Sequence, residues 1–183
     1  KDIDCDFTKQ SSYVYSVDDR GKIENELNAL NRMGFEASFK DDTELPFKIE
    51  GAVCFKNQAQ FNPLKFIYEI SKGLDIYENT FVKEIISGKA ITNEATIKAD
   101  SIIVATHFPF INKHGNYFMK LYQERSYVSA FKNAPTLDGM YLDESKNGFS
   151  FRSYEDFLLV GAGAHRTGKN SLAWKPINEF VKE

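Results

Sequence analysis

From Asp75 to Ala164 the chain is a succession of short apolar runs punctuated by turn residues, and no other feature narrows its possible folds as much. "DIYENTFVKEIIS", a turn at Gly88 and Lys89, "AITNEATIKA", "SIIVATHF", "RSYVSAFK", "GMYLDE", "FSFRSYE" and "FLLVGAGA" follow one another, each of strand length. Short strands in sequence pair most readily as a meander on an antiparallel sheet. The run Ile102 to Ala105 is continuously apolar, which predicts a strand covered on both faces. Ahead of the series, "DCDFTKQSSYVYS" predicts an extended segment ending near Ser16. Ile23, Leu27, Leu30 and Met33 then recur at helical spacing, with Asp18 and Asp19 at the positive end and Gly34 suited to the left-handed cap. A helix is predicted from about Asp18 to Met33. "LPFKIEGAVCFKN" reads as a strand begun by Pro46 and broken in its alternation at Gly51. "FNPLKFIYEISKG" predicts a second helix with Asn62 as cap, Pro63 at its first position, Gly73 at its end, and a buried stripe of Leu64, Ile67, Tyr68 and Ile70. "SLAWKPINEFVKE" begins a further helix. The class expected is α+β, a central antiparallel or mixed β-sheet with flanking helices.

At 183 residues the chain is long enough for one sizeable core or two modest lobes. It is 42% apolar and 27% charged, the balance of an ordinary globular domain, and no run of about 18 apolar residues is present to span a bilayer. A net charge of −3 with scattered lysines gives no basic field for a phosphate backbone, so no nucleic-acid partner is expected. Cys5 and Cys54 stand in no metal-ligand spacing; both are expected as small apolar fillers in a reducing compartment, with the protein in the cytoplasm and no metal site. The chain opens on Lys1 without a signal-like segment, and the expectation is a piece from the middle of a longer protein.

"LLVGAGAHRTGKN" has the spacing of a phosphate-binding loop from Gly163 to Lys169, with Asn170 where Ser or Thr would hold magnesium and Ser171 one residue late. One residue turns a helical side chain by about 100°, away from such a metal. The alternative is that Gly161 and Gly163 permit close backbone packing and Gly168 a turn. As a dinucleotide fingerprint the stretch also fails, since Arg166 occupies the third glycine position.

A broader pattern runs from about Ile3 to Thr167. "GAVCFKNQAQFNPLKFIYEISKG", "DIYENTFVKEI", "ADSIIVATHFPF" and "RSYVSAF", in that order, resemble the FAD-dependent oxidoreductases of the D-amino-acid oxidase and glycine oxidase superfamily, in particular a bacterial subgroup whose members can carry a Rieske iron-sulfur domain. The resemblance implies FAD as the cofactor of a full-length parent. It implies that "YENTFV" is the strand whose Val backbone pairs with adenine, hence Val82 with Thr80 leading into it. It also implies that "ATH", Ala105, Thr106 and His107, is the strand end passing close to the cofactor, His107 replacing the usual Gly. His107 can instead simply cap the strand. The N-terminal GxGxxG unit that seats the pyrophosphate, and the C-terminal Gly-rich segment that meets the flavin, are not in this sequence. Residues 1 to 59 then resemble a first part of the substrate domain, 60 to 108 an incomplete piece of the FAD-binding domain, and 109 to 183 a second substrate-domain part with the start of a helix.

The implied reaction is oxidation of a small-molecule amine or amino acid by hydride transfer to flavin, with residues 1–183 inactive alone and not retaining FAD. Such a site calls for an Arg to clamp a carboxylate and a Tyr to shape the pocket. Arg125 and Tyr127 are the candidates for the catalytic role, Arg125 alternatively forming a surface ion pair with Glu124 or another acid. Gln58, Gln60, Arg152 and His165 are candidates for the pocket. Two rival functions stay open: a small nucleotide-binding domain using Gly163 to Lys169, and a non-catalytic interaction module suggested by 14% aromatic residues. Self-association through surface exposed by the missing segments is a further expectation.

Overall fold

The computed structural model describes residues 2–111, 115–169 and 174–182. In chain order the elements are β1 (Thr8–Ser16), α1 (Arg20–Arg32), β2 (Ser38–Lys40), β3 (Gly51–Gln60), α2 (Pro63–Ser71), β4 (Val82–Ile86), β5 (Lys89–Thr92), β6 (Thr96–Lys98), α3 (Tyr117–Lys120), β7 (Glu124–Lys132), β8 (Gly139–Asp143), β9 (Ser150–Tyr154), β10 (Phe157–Arg166) and α4 (Lys175–Phe180). They form two units, Lys1–Ile70 with Glu124–Glu183, and Ser71–Gln123.

The first unit is built on a seven-stranded mixed sheet in the order β2-β3-β1-β8-β9-β10-β7. Only β1 and β8 pair in parallel; the other neighbours are antiparallel. With the helices beside it, this is the α+β class expected from the sequence.

The helix α1 starts where the Asp19 carboxylate accepts from Lys22 N (3.0 Å) and Ser16 Oγ accepts from Asp19 N (3.0 Å). It stops at Gly34, whose φ of 73° allows Gly34 N to reach Asn31 O and Phe35 N to reach Leu30 O, a full Schellman closure. Its inner residues Ile23 and Leu30 pack on Val53 of β3, so α1 covers one face of the sheet over β1, β2 and β3.

The opposite face holds the main core. Tyr15, Ala52, Tyr141, Phe151 and Val160 point the same way from five strands and are buried under Leu45 and Ile49. Phe180 of α4 closes it, its ring 5.1 to 6.3 Å from those of Phe47, Phe149 and Phe151.

The strand expected to start at Pro46 does not start there. Residues 41–50 are irregular and β3 begins at Gly51, because Leu45 and Ile49 are used as core plugs from a loop rather than as ladder residues.

The second helix is present, with Asn62 Oδ1 accepting from Leu64 N and Lys65 N, but its apolar stripe is not buried. Leu64 is 77% and Ile67 55% exposed, and Tyr68 and Ile70 also face solvent. What fixes α2 is its first turn, through the Asn62 cap and an ion pair from Lys65 to Asp6.

The second unit is a three-stranded antiparallel sheet β4-β5-β6 turned at Gly88, followed by the single turn α3. The predicted strand Ile102–Ala105 is not formed: these residues pair with no described strand, and Ile103 is 90% exposed. A run apolar on both sides becomes a buried strand only where neighbours supply both edges and both faces.

Phe151→Ala removes a ring that is only 2% exposed, and should lower unfolding free energy by about 3–5 kcal/mol in urea titrations. Leu142→Ala, on the uncovered part of the other face, should change it by less than about 1 kcal/mol.

Candidate functional site

The face that α1 leaves open extends over β8, β9, β10 and β7. Register defines two rows across it. Val14, Leu142, Ser150, Gly161 and Val128 form one, since Val14 opposes Leu142, Leu142 opposes Ser150, Ser150 opposes Gly161 and Gly161 opposes Val128. Two residues along, Ser12 opposes Met140, and Arg152 opposes Leu159, which in turn opposes Ala130. Arg152 is therefore the only charged side chain in a floor otherwise made of apolar and small neutral residues.

The Arg152 guanidinium is half-buried and makes one hydrogen bond, 3.4 Å from Nη1 to Gln60 Oε1. Gln60 is oriented by its other end, where Nε2 donates to Ser153 O at 3.1 Å. No carboxylate pairs with Arg152 among the described residues.

A polar network adjoins them. Tyr154 Oη donates to Asp6 Oδ2 (2.6 Å) and accepts from Asn62 Nδ2 (2.8 Å), while Lys65 Nζ lies 2.7 Å from Asp6 Oδ1. The Lys65 ammonium, and next the Tyr154 hydroxyl, hold the Asp6 carboxyl below its ordinary value of 3.8; Asp6 in turn pushes the Tyr154 phenol up. This rim fixes the end of β9 against the segment entering α2.

Arg125, Tyr127 and His165 are brought together elsewhere. Arg125 opposes His165 in register, and the His165 ring stacks on Tyr127 at 5.7 Å with Trp174 edge-on to Tyr127 at 4.7 Å. His165 Nδ1 lies 2.9 Å from Gly163 O. Tyr127 shares a side of β7 with the core residue Phe131, so this group lies on the face opposite to Arg152, and six residues of β10, roughly 20 Å of strand, separate His165 from Leu159 beside Arg152. The ion pair between Arg125 and Glu124 is not made; Glu124 pairs with Lys146 at 3.3 Å. Gln58 is exposed, its amide turned back to Lys56 O.

An apolar cavity of about 370 Å³ lies on the core face among Phe131, Leu137, Phe151, Leu158 and Phe180. Its two rim charges are already engaged, Glu44 by Asp138 N and Tyr141 Oη, and Lys132 by Asp156. It therefore offers a ligand no free group to orient it.

The residues implied to border FAD are in the second unit. Val82 opens β4, which is an edge strand, and opposes Thr92 on β5; the outer edge of β4 is unpaired among the described residues. Thr80 Oγ1 donates to Glu78 O, and Thr106 Oγ1 to Phe108 O. Ala105, Thr106 and His107 are exposed, and His107 has φ 60°, the left-handed geometry that suits the glycine usual there in the resembling family. An edge with free backbone groups fits recognition of an adenine; no strand–GxGxxG–helix is present for a pyrophosphate.

The phosphate-loop spacing does not form a cradle in the described residues. Gly161 and Gly163 lie within β10, Gly168 is in the turn that follows, and no helix begins before Lys175. Asn170 and Ser171 lie outside the described residues. No helix among the described residues is long and apolar enough to cross a membrane, and none of their His, Cys, Asp and Glu side chains cluster as a metal site. Cys5 and Cys54 are free and buried.

The fold matches the crystal structure of glycine oxidase from Geobacillus kaustophilus with a TM-score of 0.66 over 92% of this chain and 51% of that one, at 15% identity. By sequence the chain is similar to "Putative Rieske 2Fe-2S iron-sulfur protein YhfW" of Bacillus subtilis (strain 168), 32% identical over 185 residues, 91% of this chain and 36% of that protein. The chain thus spans about a third of that relative and half of the structural neighbour. No known protein-family profile matches it. A Rieske cluster needs two Cys and two His ligands. The residues present do not fit one, because Cys5 is followed by Asp6 and Phe7 and Cys54 by Phe55 and Lys56, with no His nearby in sequence and no ligand group in space among the described residues.

The sequence did not single out Met140, Leu142 and Leu159 beside Arg152, nor Asp6 and Tyr154, and it marked Asn62 only as a helix cap. "GMYLD" held a signal for the first: Met140 and Leu142 alternate with Tyr141 and Asp143, so both sides of the strand needed an environment. The network carries no sequence signal, since Asp6 and Tyr154 are 148 residues apart.

Because the fold depresses the Asp6 pKa, its contribution to stability is full above pH 3.8 and is lost as pH falls through the lower folded value. The thermal midpoint of the wild type should exceed that of Asp6→Asn at neutral pH, and the gap should close progressively as melting is repeated below pH 3.8.

Proposed function

We propose that this chain is the central, substrate-binding part of an FAD-dependent oxidoreductase that oxidises an amine or amino acid by hydride transfer to flavin, and that residues 1–183 do not carry out the reaction alone. The observation behind this reading is the likeness of fold to glycine oxidase across 92% of the chain. The relative named as a Rieske protein is compatible with it, because the described residues of this chain, which match about a third of that relative, include none suited to a cluster.

When bound, flavin supplies the hydride acceptor. Within this chain, the free outer edge of β4 at Val82, led by Thr80, would face the adenine, and Ala105, Thr106 and His107 would border the cofactor. The sheet of the first unit would present the substrate. Arg125 and Arg152 each carry a guanidinium with no acidic partner among the described residues, so either can clamp a carboxylate, with Tyr127 and His165 shaping the surroundings of the first and Gln60 those of the second. Fixing the substrate in this way lowers the entropy cost of bringing its C–H to the acceptor.

Residues 1–183 titrated with FAD should show no tight stoichiometric binding, since they lack a pyrophosphate seat; saturation at one equivalent with a perturbed flavin spectrum would count against that part of the reading. The full-length protein containing these residues should purify yellow, and its flavin band should bleach when amines or amino acids are added without oxygen. A full-length protein that holds no flavin would end the proposal.

A further inference from the structure

We propose that the outer edge of β7 is a self-association surface, on which a second copy of this chain pairs its own β7 antiparallel to the first, centred on Val128. The inference does not depend on the oxidoreductase reading.

β7 ends the seven-stranded sheet, and only β10 pairs with it among the described residues. Alternate members of its nine residues therefore turn their N–H and C=O groups outward, a template for another strand. Sheets ordinarily blunt such an edge by brevity, a proline, a bulge or a charge in mid-strand. The opposite edge follows that rule, since β2 has three residues and ends on Lys40. β7 carries none of these protections. Its sequence "ERSYVSAFK" holds no proline or glycine, and its charges stand only at the ends. The register irregularity beside it places the extra residue in β10, between Ala162 and His165, and leaves β7 regular.

Symmetry then limits how two copies can meet. Antiparallel strands related by a two-fold axis oppose side chains that share a face, so the central residue must face its own copy. Only a centre at Val128 pairs all nine residues of β7. That same register sets Glu124 opposite the second copy's Lys132, at both ends. A centre at Tyr127 would instead put Glu124 opposite Ala130, and one at Ser129 would put Lys132 opposite Ser126, so neither pairs the end charges.

The neighbouring charges extend the match. Glu124 already lies 3.3 Å from Lys146, and Lys132 3.2 Å from Asp156, both pairs exposed. Across the interface the order becomes Lys146, Glu124, then the second copy's Lys132 and Asp156, alternating in sign throughout. Opposite charges on facing strands stabilise a ladder and like charges oppose it. An acid at the start of an edge strand and a base at its end are complementary to that strand itself, which favours a second copy over a foreign peptide.

Side-chain burial points the same way. Val128 is 60% exposed although it ends the row that runs from Val14 through Leu142, Ser150 and Gly161. Pairing places Val128 against its copy and carries that row into the second sheet, so that the exposed valine gains a cross-strand apolar partner.

The test is sedimentation velocity of the chain over a range of concentrations, with two variants that each reverse one end charge, Glu124→Lys and Lys132→Glu. The wild type should pass from monomer to dimer in the micromolar range, because one strand pair buries little area. Either variant alone sets like charges opposite each other at both ends, and should dimerise at least about tenfold more weakly. An equimolar mixture of the two variants sets unlike charges at both ends, and should dimerise about as readily as the wild type. Any effect inside a single copy is the same in the mixture as in its components, so the comparison isolates the contact between copies.

Register is read by cross-linking. Val128→Cys should yield a disulfide-linked dimer on mild oxidation, with Cys5 and Cys54 buried and out of reach. Ser126→Cys should not, because its two copies lie roughly 13 Å apart along the strand. Thermal melts confirm that each variant folds; all four substitutions are at exposed positions of β7. A dimer that both charge variants leave unchanged, a mixture no tighter than its components, or equal cross-linking through Ser126→Cys and Val128→Cys would each overturn the proposal. A chain monomeric at every concentration would overturn it too, and leave the edge to a strand of another protein.

Discussion

The structure of the first unit hangs on a single seam, the parallel pairing of β1 with β8. It joins residues 8–60 to residues 124–166, two halves that would otherwise be separate sheets of three and four strands. The seam is reinforced on both sides. Tyr13 stacks on Tyr141 with ring centres 4.7 Å apart, Tyr15 Oη donates to Phe149 O, and Glu144 N donates to Tyr15 O. Gly139 is required at its start, where a Cβ would lie 2.6 Å from the Tyr13 ring. At its other end Lys22 of α1 reaches across to Glu144. Pairing partners more than a hundred residues apart must be brought together against loop-closure entropy, so this seam should be among the last contacts formed.

Because the seam makes one continuous sheet, the two faces acquire opposite chemistry. On the packed face Tyr15 Oη donates to Phe149 O and Tyr141 Oη to Glu44, and burial pushes the Tyr15 phenol far above its ordinary value, with Asp143 adding to it. Tyr141 behaves alike, from burial first and then from the charge of Glu44. Phenols held protonated in this way are structural donors. On the other face α1 shields only the three strands on its side, and Arg152 stands in the remainder without an acid. Which part of each face is packed and which is left open follows from which strands α1 and α4 reach.

Much of the fold was legible because its signals are local. The cap at Asp19, the stop at Gly34 and the spacing of Ile23 and Leu30 specify α1 with no help from the rest of the chain, and the alternation in β8, β9 and β10 specifies the meander. Signals that depend on distant partners misled. Ile102–Ala105 and the stripe on α2 have the composition of buried segments, yet burial is a property of what lies alongside, which composition does not report. Leu45 and Ile49 read as strand for the same reason: an apolar residue in a core loop and one in a ladder look identical in sequence. The candidate residues divide along the same line. Arg125 and Arg152 are equivalent as sequence, each an arginine in an apolar strand. Only the register shows that Arg152 faces open sheet with Gln60 beside it, and that Arg125 pairs with His165 on the other side.

The stretch "LLVGAGAHR" is where local pattern and tertiary role differ most, and its glycines can be explained without a phosphate. Along β10 the side chains alternate between faces. Val160 and Ala162 enter the core, where only a small residue fits at Ala162, 5% exposed. Gly161 faces the open floor, where a Cβ would lie 2.5 Å from Ser150 Oγ and the serine side chain would have to turn away. Gly163, with φ 72°, takes the register irregularity between Ala162 and His165 that sets His165 opposite Arg125. Gly-Ala-Gly-Ala is thus what a strand requires when it passes between a tight core and a closely paired open face and then bulges. The spacing that imitates a nucleotide loop arises from close packing on both sides of one strand.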